Sequence, residues 1–220
     1  MANGAAGTVN TATAIAFAVA GIFAVGDWRA KARGQRTLEY VCKPATLVAL
    51  VIAACVLDPA ADAHTRRAWF VVALVFCLAG DVLLMVPRDL FVGGLAAFLL
   101  GHLCYVAGFW THGPALAAFA VSGVAVAAVV LPLARRILGA LARQRELRPP
   151  VVAYMVVISL MLASAIATRN PWAAVGAALF VWSDSMIAWD RFVRPFRWAP
   201  VAIMVTYHLG QAGLVVSLLR

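Results

Sequence analysis

Charge is what this sequence has least of. Only 12% of its 220 residues are charged and nine are acidic, whereas 65% are hydrophobic. A soluble domain carries about 25% charged residues, so this shortage excludes an ordinary soluble fold. Enzyme signatures are missing too: the chain has no GxSxG, no HExxH, no P-loop and no glycine-rich dinucleotide loop. No serine stands in a nucleophile motif, which counts against acyl-enzyme chemistry. The four cysteines, Cys42, Cys55, Cys77 and Cys104, stand singly in separate apolar segments without CxxC spacing. They read as small polarisable packing residues. No Lys or Arg precedes Arg29, so the apolar run from Ala12 to Val25 lacks the basic region of a cleaved leader. It reads as the first spanning helix.

What the chain does contain is long apolar segments. A bilayer core of about 30 Å takes roughly 20 residues of helix. The pattern gives eight spans: 8–26, 40–57, 67–86, 90–110, 114–134, 150–168, 171–190 and 199–219. The expectation is an all-α polytopic membrane protein forming one integral domain, residues 1–220. Only 27–39 and 135–149 leave room for more than a turn between spans. Pro44, Pro87, Pro114, Pro150, Pro171 and Pro200 are read as marking helix starts or ends, where proline is best tolerated. Trp28, Trp69, Trp110, Trp172 and Trp198 read as an interfacial aromatic belt.

The net charge of +9 suggests nucleic acid only until the basic residues are placed. Thirteen Lys and Arg fall in one set of alternate loops and four in the other, with Lys43 inside a span. Such bias orients a membrane protein: the basic set faces the cytoplasm and both termini lie outside. The compartment expected is a bacterial plasma membrane, the partners are membrane lipids, and no nucleic acid is expected.

Against this apolar background the buried polar residues stand out. A carboxylate near the middle of a membrane helix costs roughly 2.5–3.5 kcal/mol on insertion scales and is a functional-site hypothesis by default. Asp81 lies in span three, with His102 and Tyr105 in span four; Asp184 lies in span seven, with His208 and Gln211 in span eight. At 1.5 Å per residue, Asp81, Asp184 and Tyr154 each lie about 9–10 Å from the basic end, near the level of Lys43. His102 and His208 lie about 16–20 Å deep. Asp-to-His separations of 21 and 24 residues suggest two parallel four-helix repeats, 8–110 and 114–219. Two aspartates and two histidines could supply metal ligands, but their differing depths do not make one compact coordination sphere. No metal or other cofactor is expected.

Both aspartates have small neighbours, Gly80 beside Asp81 and Ser183 and Ser185 beside Asp184, which permit close helix approach. Two carboxylates in low dielectric cannot both ionise cheaply, so a pair that approaches holds a proton on one member. That is the arrangement an acid and a base require. Lys43 admits two readings, an ion pair with an aspartate or a phosphate contact. His102 and His208 are either satisfied buried histidines or participants. Gly94, Gly101 and Gly108 form a stripe suited to close packing.

These residues together resemble the YhhN-like lysoplasmalogenase family. The resemblance rests on Lys43-Pro44, Gly80-Asp81, Phe98 with Gly101-His102 and Tyr105, Ala177 to Phe180 leading into Ser183-Asp184-Ser185, Arg191-Phe192, and Tyr207-His208 with Gln211. It implies hydrolysis of the vinyl ether bond of lysoplasmalogens, giving a fatty aldehyde and a glycerophosphoethanolamine or glycerophosphocholine. The substrate is then a lysophospholipid. Vinyl ether hydrolysis delivers a proton to the β-carbon and passes through an oxocarbenium ion, the cation that paired carboxyls serve in glycosidases. Asp81 and Asp184 are the expected catalytic pair, in the cytoplasmic half. Lys43, His102, Tyr105, Tyr154, Ser183, His208 and Gln211 are the expected substrate-binding set. The rival reading is a proton-coupled transporter of small molecules or lipids, whose relays use the same residue types. A lipid-binding scaffold and a hydrolase of ester-linked lysolipids are further alternatives.

Overall fold

In the computed structural model, which describes residues 6–220, local sequence explains where each helix begins and ends. Asn10 caps α1 (Thr11–Arg33) by accepting a hydrogen bond from the Thr13 N–H, and Gly34 ends it in the left-handed conformation with φ 66°. Two residues later α2 (Arg36–Val56) starts back. α3 (His64–Met85), α4 (Phe91–Phe109), α5 (Leu116–Ala140) and α6 (Arg148–Ala167) follow. Asn170 caps α7 (Pro171–Ala188), with proline in the first turn where its missing N–H costs nothing. α7 runs on into a π-helical turn, Trp189–Val193, before α8 (Ala199–Val216). Among the described residues eight helices are long and apolar enough to cross a membrane. The chain is an all-α integral membrane protein; among the described residues the β-type pairing is a single bridge, Thr8 to Asp58.

The spans agree with the sequence except at three places, one of them the expected loop 135–149, where α5 continues to Ala140 and two 3-10 turns, Leu141–Arg143 and Arg145–Leu147, lead into α6. The expected loop 27–39 is helix almost throughout, because α1 continues to Arg33 and only Gly34 and Gln35 separate it from α2. Lys31 and Glu39 pair across this junction at 2.6 Å, which gives the charged extension a reason to stay helical. Pro44 lies inside α2 rather than at its start.

The helices pack as a ring in the order α1, α2, α3, α4, α6, α7, α8, closed by α8 against α1. α5 stands outside it, resting on α6, and shows most of its surface; Val129 is 77% exposed. Ser122 on α5 donates to the Ala163 carbonyl on α6 at 2.8 Å. The expected glycine stripe lies against α3: a Cβ at Gly101 would meet the Ala73 carbonyl at 3.1 Å, and one at Gly94 the Leu84 side chain at 2.5 Å. Gly176 brings α7 as close to α8, within 2.7 Å of the Leu214 nitrogen by the same measure. These close approaches hold the aspartate-bearing helices α3 and α7 in fixed register with the histidine-bearing helices α4 and α8.

Candidate active site

Lys43 on α2 meets Asp81 on α3 with Nζ 2.9 Å from Oδ1, and both side chains are almost completely buried. The other oxygen of Asp81 accepts from the Tyr207 hydroxyl on α8 at 2.8 Å. Behind Tyr207 the chain of donors continues. Gln211 Nε2 donates to the Tyr207 oxygen at 3.4 Å, and the Tyr105 hydroxyl donates to Gln211 Oε1 at 2.6 Å. Every donor in this chain points toward Asp81. A carboxyl that receives an ammonium and a directed phenol is held as the carboxylate.

Asp184 is placed differently. The Tyr154 hydroxyl on α6 donates to its Oδ2, and no cation lies within pairing distance among the described residues. Its neighbour Ser183 is fully buried and spends its hydroxyl on the Ile203 carbonyl of α8 at 3.1 Å. A low-dielectric carboxyl without a cation partner is cheapest as the neutral acid.

An aromatic layer separates the two carboxyls. Phe180 packs edge-on against His102 at 4.6 Å and Tyr207 at 5.2 Å between centroids, and Phe98 meets Tyr207 at 6.0 Å. Gly80, with no side chain, leaves room for the Phe98 ring beside Asp81; a Cβ there would lie 2.6 Å from it. His102 gives Nδ1 to the Phe98 carbonyl at 2.6 Å, and its ring stands 5.3 Å from that of Tyr154. His208 accepts from Trp28 Nε1 at 3.1 Å. The Nε2 atoms of both histidines are buried without a partner.

On the Asp184 side of this layer lies a pocket of about 80 Å³ between α4, α5, α6 and α7. Its wall is apolar, with Leu95, Leu133, Ile158 and Phe192 among its members, except for Tyr154, Ser159, Asp184 and Ser185. Of the two expected catalytic aspartates the wall carries Asp184 alone; Phe98 lines it too, and Asp81 sits behind. Phe91 and Phe192 also line it, and Arg191 on the π turn stacks over the Phe91 ring at 4.1 Å while pairing with Asp89 at 3.0 Å. A π turn is a frequent device for aiming a functional side chain. No three or more His, Cys, Asp or Glu side chains among the described residues cluster as a metal site.

Sequence reasoning brought Lys43, Asp81, Tyr105 and Gln211 into consideration, and the structure joins them. It missed three neighbours. Tyr207 shares a face with Gln211 at i, i+4, a signal that was available. Asp27 was hidden because span one was ended at residue 26. Trp28 was read as part of the aromatic belt, yet its indole is hydrogen-bonded to His208; Trp110 likewise bonds inward, to Ser164 at 3.0 Å. Trp69, Trp172 and Trp198 are exposed.

Comparison with known proteins comes to the same place. A Mycobacterium tuberculosis protein named lysoplasmalogenase is 38% identical over 159 residues, covering 68% of this chain and 58% of the relative. The human protein named lysoplasmalogenase TMEM86B is 34% identical over 150 residues, covering 67% of this chain and 62% of the relative. The chain thus spans about three fifths of the length of these relatives. No solved structure matches. The YhhN family model matches residues 38–218, α2 to α8 with the whole hydrogen-bonded constellation except α1, and the chain belongs to the YhhN family.

Proposed function

We propose that this protein hydrolyses the vinyl ether bond of lysoplasmalogens, releasing a fatty aldehyde and a glycerophosphoethanolamine or glycerophosphocholine. The observation that carries the reading is the position of Asp184: a carboxyl without a cation partner, set in the wall of a largely apolar pocket. Its apolar lining, with Leu95, Leu133 and Ile158, is of the kind that suits a hydrocarbon chain. A chain lying there brings its ether end to Asp184 and its glycerophosphate toward the rim. Arg191, stacked on Phe91, is the cation placed for that phosphate. Lys43 is committed to Asp81, and its contribution is to hold that carboxylate.

The hydrolysis runs in three steps that balance. Asp184 gives its proton to the vinyl β-carbon, and the electron pair of the double bond leaves an oxocarbenium ion. Asp81, ionised by Lys43, stabilises that cation by its charge. Water then adds to the α-carbon and its proton passes to Asp81. In the collapse of the hemiacetal, Asp184 takes the hydroxyl proton as the carbonyl forms, and Asp81 returns its proton to the departing glycerol oxygen. Both aspartates end as they began. Phe98, which lines the cavity and packs on Tyr207, stands between the ether and Asp81, so its rotation is what connects them. Positioned acid–base catalysis of this kind contributes about 10²–10⁴-fold per group.

The excess of Lys and Arg at the end bearing Gly34, Arg145 and Arg194 supports an orientation with that end, and the cavity rim, in the cytoplasm. The family relationship and the cavity both count against the transporter. The test is aldehyde release from a vinyl-ether lysophospholipid by the purified protein: release that Asp184→Asn abolishes supports the hydrolase, whereas substrate movement across vesicles without a product supports the transporter.

A further inference from the structure

Asp27 is a third buried carboxyl, and the reaction above does not use it. It lies on α1, six residues before Arg33, about 9 Å in from that end of the helix. Its exposure is 0%, and neither oxygen has a hydrogen-bond partner among the described residues. Such an intramembrane carboxyl normally faces a functional partner.

The partner is given by the register of α1 against α2. Lys31 pairs with Glu39 at 2.6 Å across the junction. One helical turn deeper on each strand of this antiparallel pair come Asp27 and Lys43. Gly26 and Cys42, the residues just before them, are in close contact, since a Cβ on Gly26 would lie 2.8 Å from the Cys42 sulfur. Asp27 therefore faces Lys43, within electrostatic reach of it. Yet the ammonium is bonded to Asp81, on the other side. Cys42 on α2, His208 on α8, and Glu39 and Lys31 toward the junction of α1 and α2 are the other charged or titratable groups around this position among the described residues.

We propose that Asp27 is a positioning residue for Lys43: Asp27 and Asp81 are alternative seats for one ammonium, and the seat it takes decides which of the two is the carboxylate. The exchange is neutral overall. As the ammonium moves from Asp81 to Asp27, one proton moves from Asp27 to Asp81. With Lys43 on Asp81 the site has its anionic carboxylate; with Lys43 on Asp27 it does not. α1, which the family match leaves out, thereby takes part in setting the charge of the site. The inference rests on the proposed role of Asp81, but the charge exchange is measurable without turnover.

Two measurements on the purified protein in detergent test it, both without substrate, so a failure to release aldehyde leaves them standing. Infrared difference spectroscopy follows the C=O stretch of buried protonated carboxyls. The wild type shows an acid band that Asp27→Asn removes, and in Asp81→Asn that band is lost because Lys43 has turned to Asp27. Thermal unfolding of a double-mutant cycle is the second. Each single variant leaves Lys43 one seat, whereas Asp27→Asn with Asp81→Asn strands it. The expected loss in Tm exceeds the sum of the single losses by about 10 °C, and Asp27→Glu in the Asp81→Asn background restores it. An acid band of Asp27 that persists in Asp81→Asn, or losses in Tm that simply add, would overturn the proposal.

Discussion

Lys43 and Asp81 form an ion pair at 2.9 Å between α2 and α3, with 6% and 1% of their side chains exposed. Asp184, on α7, is met by the hydroxyl of Tyr154 on α6 and, among the described residues, by no lysine. This difference separates two carboxyls that are alike in the sequence, one with a cation partner and one without. It supports assigning Asp184 as the acid of the proposed reaction and Asp81 as the carboxylate.

Asp184→Asn is expected to lower kcat by about 10²–10⁴-fold while the protein stays folded. Asparagine keeps an oxygen that accepts from Tyr154, so the α6–α7 contact survives. Aldehyde release together with Tm measures both halves of this expectation.

Lys43→Met is expected to cost both stability and activity. Removing one partner of a buried ion pair costs about 3–5 kcal/mol, because the remaining charge is left uncompensated. Adding Asp81→Asn to Lys43→Met recovers part of the lost stability and none of the activity. Chemical or thermal unfolding in detergent reads the first effect, turnover the second.

Leu133→Trp, in the α5 wall, fills part of the cavity without touching either aspartate. The expected result is a preference for shorter chains. Each buried methylene contributes about 0.8 kcal/mol, so every one excluded lowers kcat/KM about fourfold. A series of lysolipids differing only in chain length makes the comparison.

Arg191→Ala is expected to raise KM about tenfold with kcat little changed, since the guanidinium is placed for a phosphate remote from the ether. Arg191→Lys restores the charge but not the planar stack on Phe91 and recovers only part of the affinity. KM measured against ionic strength shows a weaker salt dependence in the alanine variant.

The sequence was most legible where physics leaves few options. Eight apolar runs bounded by proline, glycine and arginine can only be spanning helices, and helical rise put Tyr154 and Asp184 at one level, where they are hydrogen-bonded. Helix ends carrying charge were harder. A run such as Asp27 to Arg33 looks like a loop by composition, but it is helix because Lys31 finds Glu39 on the returning helix, a pairing that periodicity does not display. Trp28 was hidden for a different reason: whether a tryptophan turns inward depends on a partner 180 residues away. The face Tyr207 shares with Gln211 was visible, but its carboxyl partner, 126 residues away, was not. The peripheral place of α5 depends on which helices meet, and no local pattern encodes that. The correspondence of Lys43–Asp81 on α2 and α3 with Tyr154–Asp184 on α6 and α7 leads us to infer that the two halves are parallel repeats.

The most direct measurement is fatty aldehyde released from a vinyl-ether lysophospholipid by the purified protein in detergent, with EDTA present and Asp184→Asn alongside. The account predicts release by the wild type that persists in EDTA and falls by at least about 10²-fold in the variant. Folded wild type that releases no aldehyde, or a variant that releases as much, would contradict it.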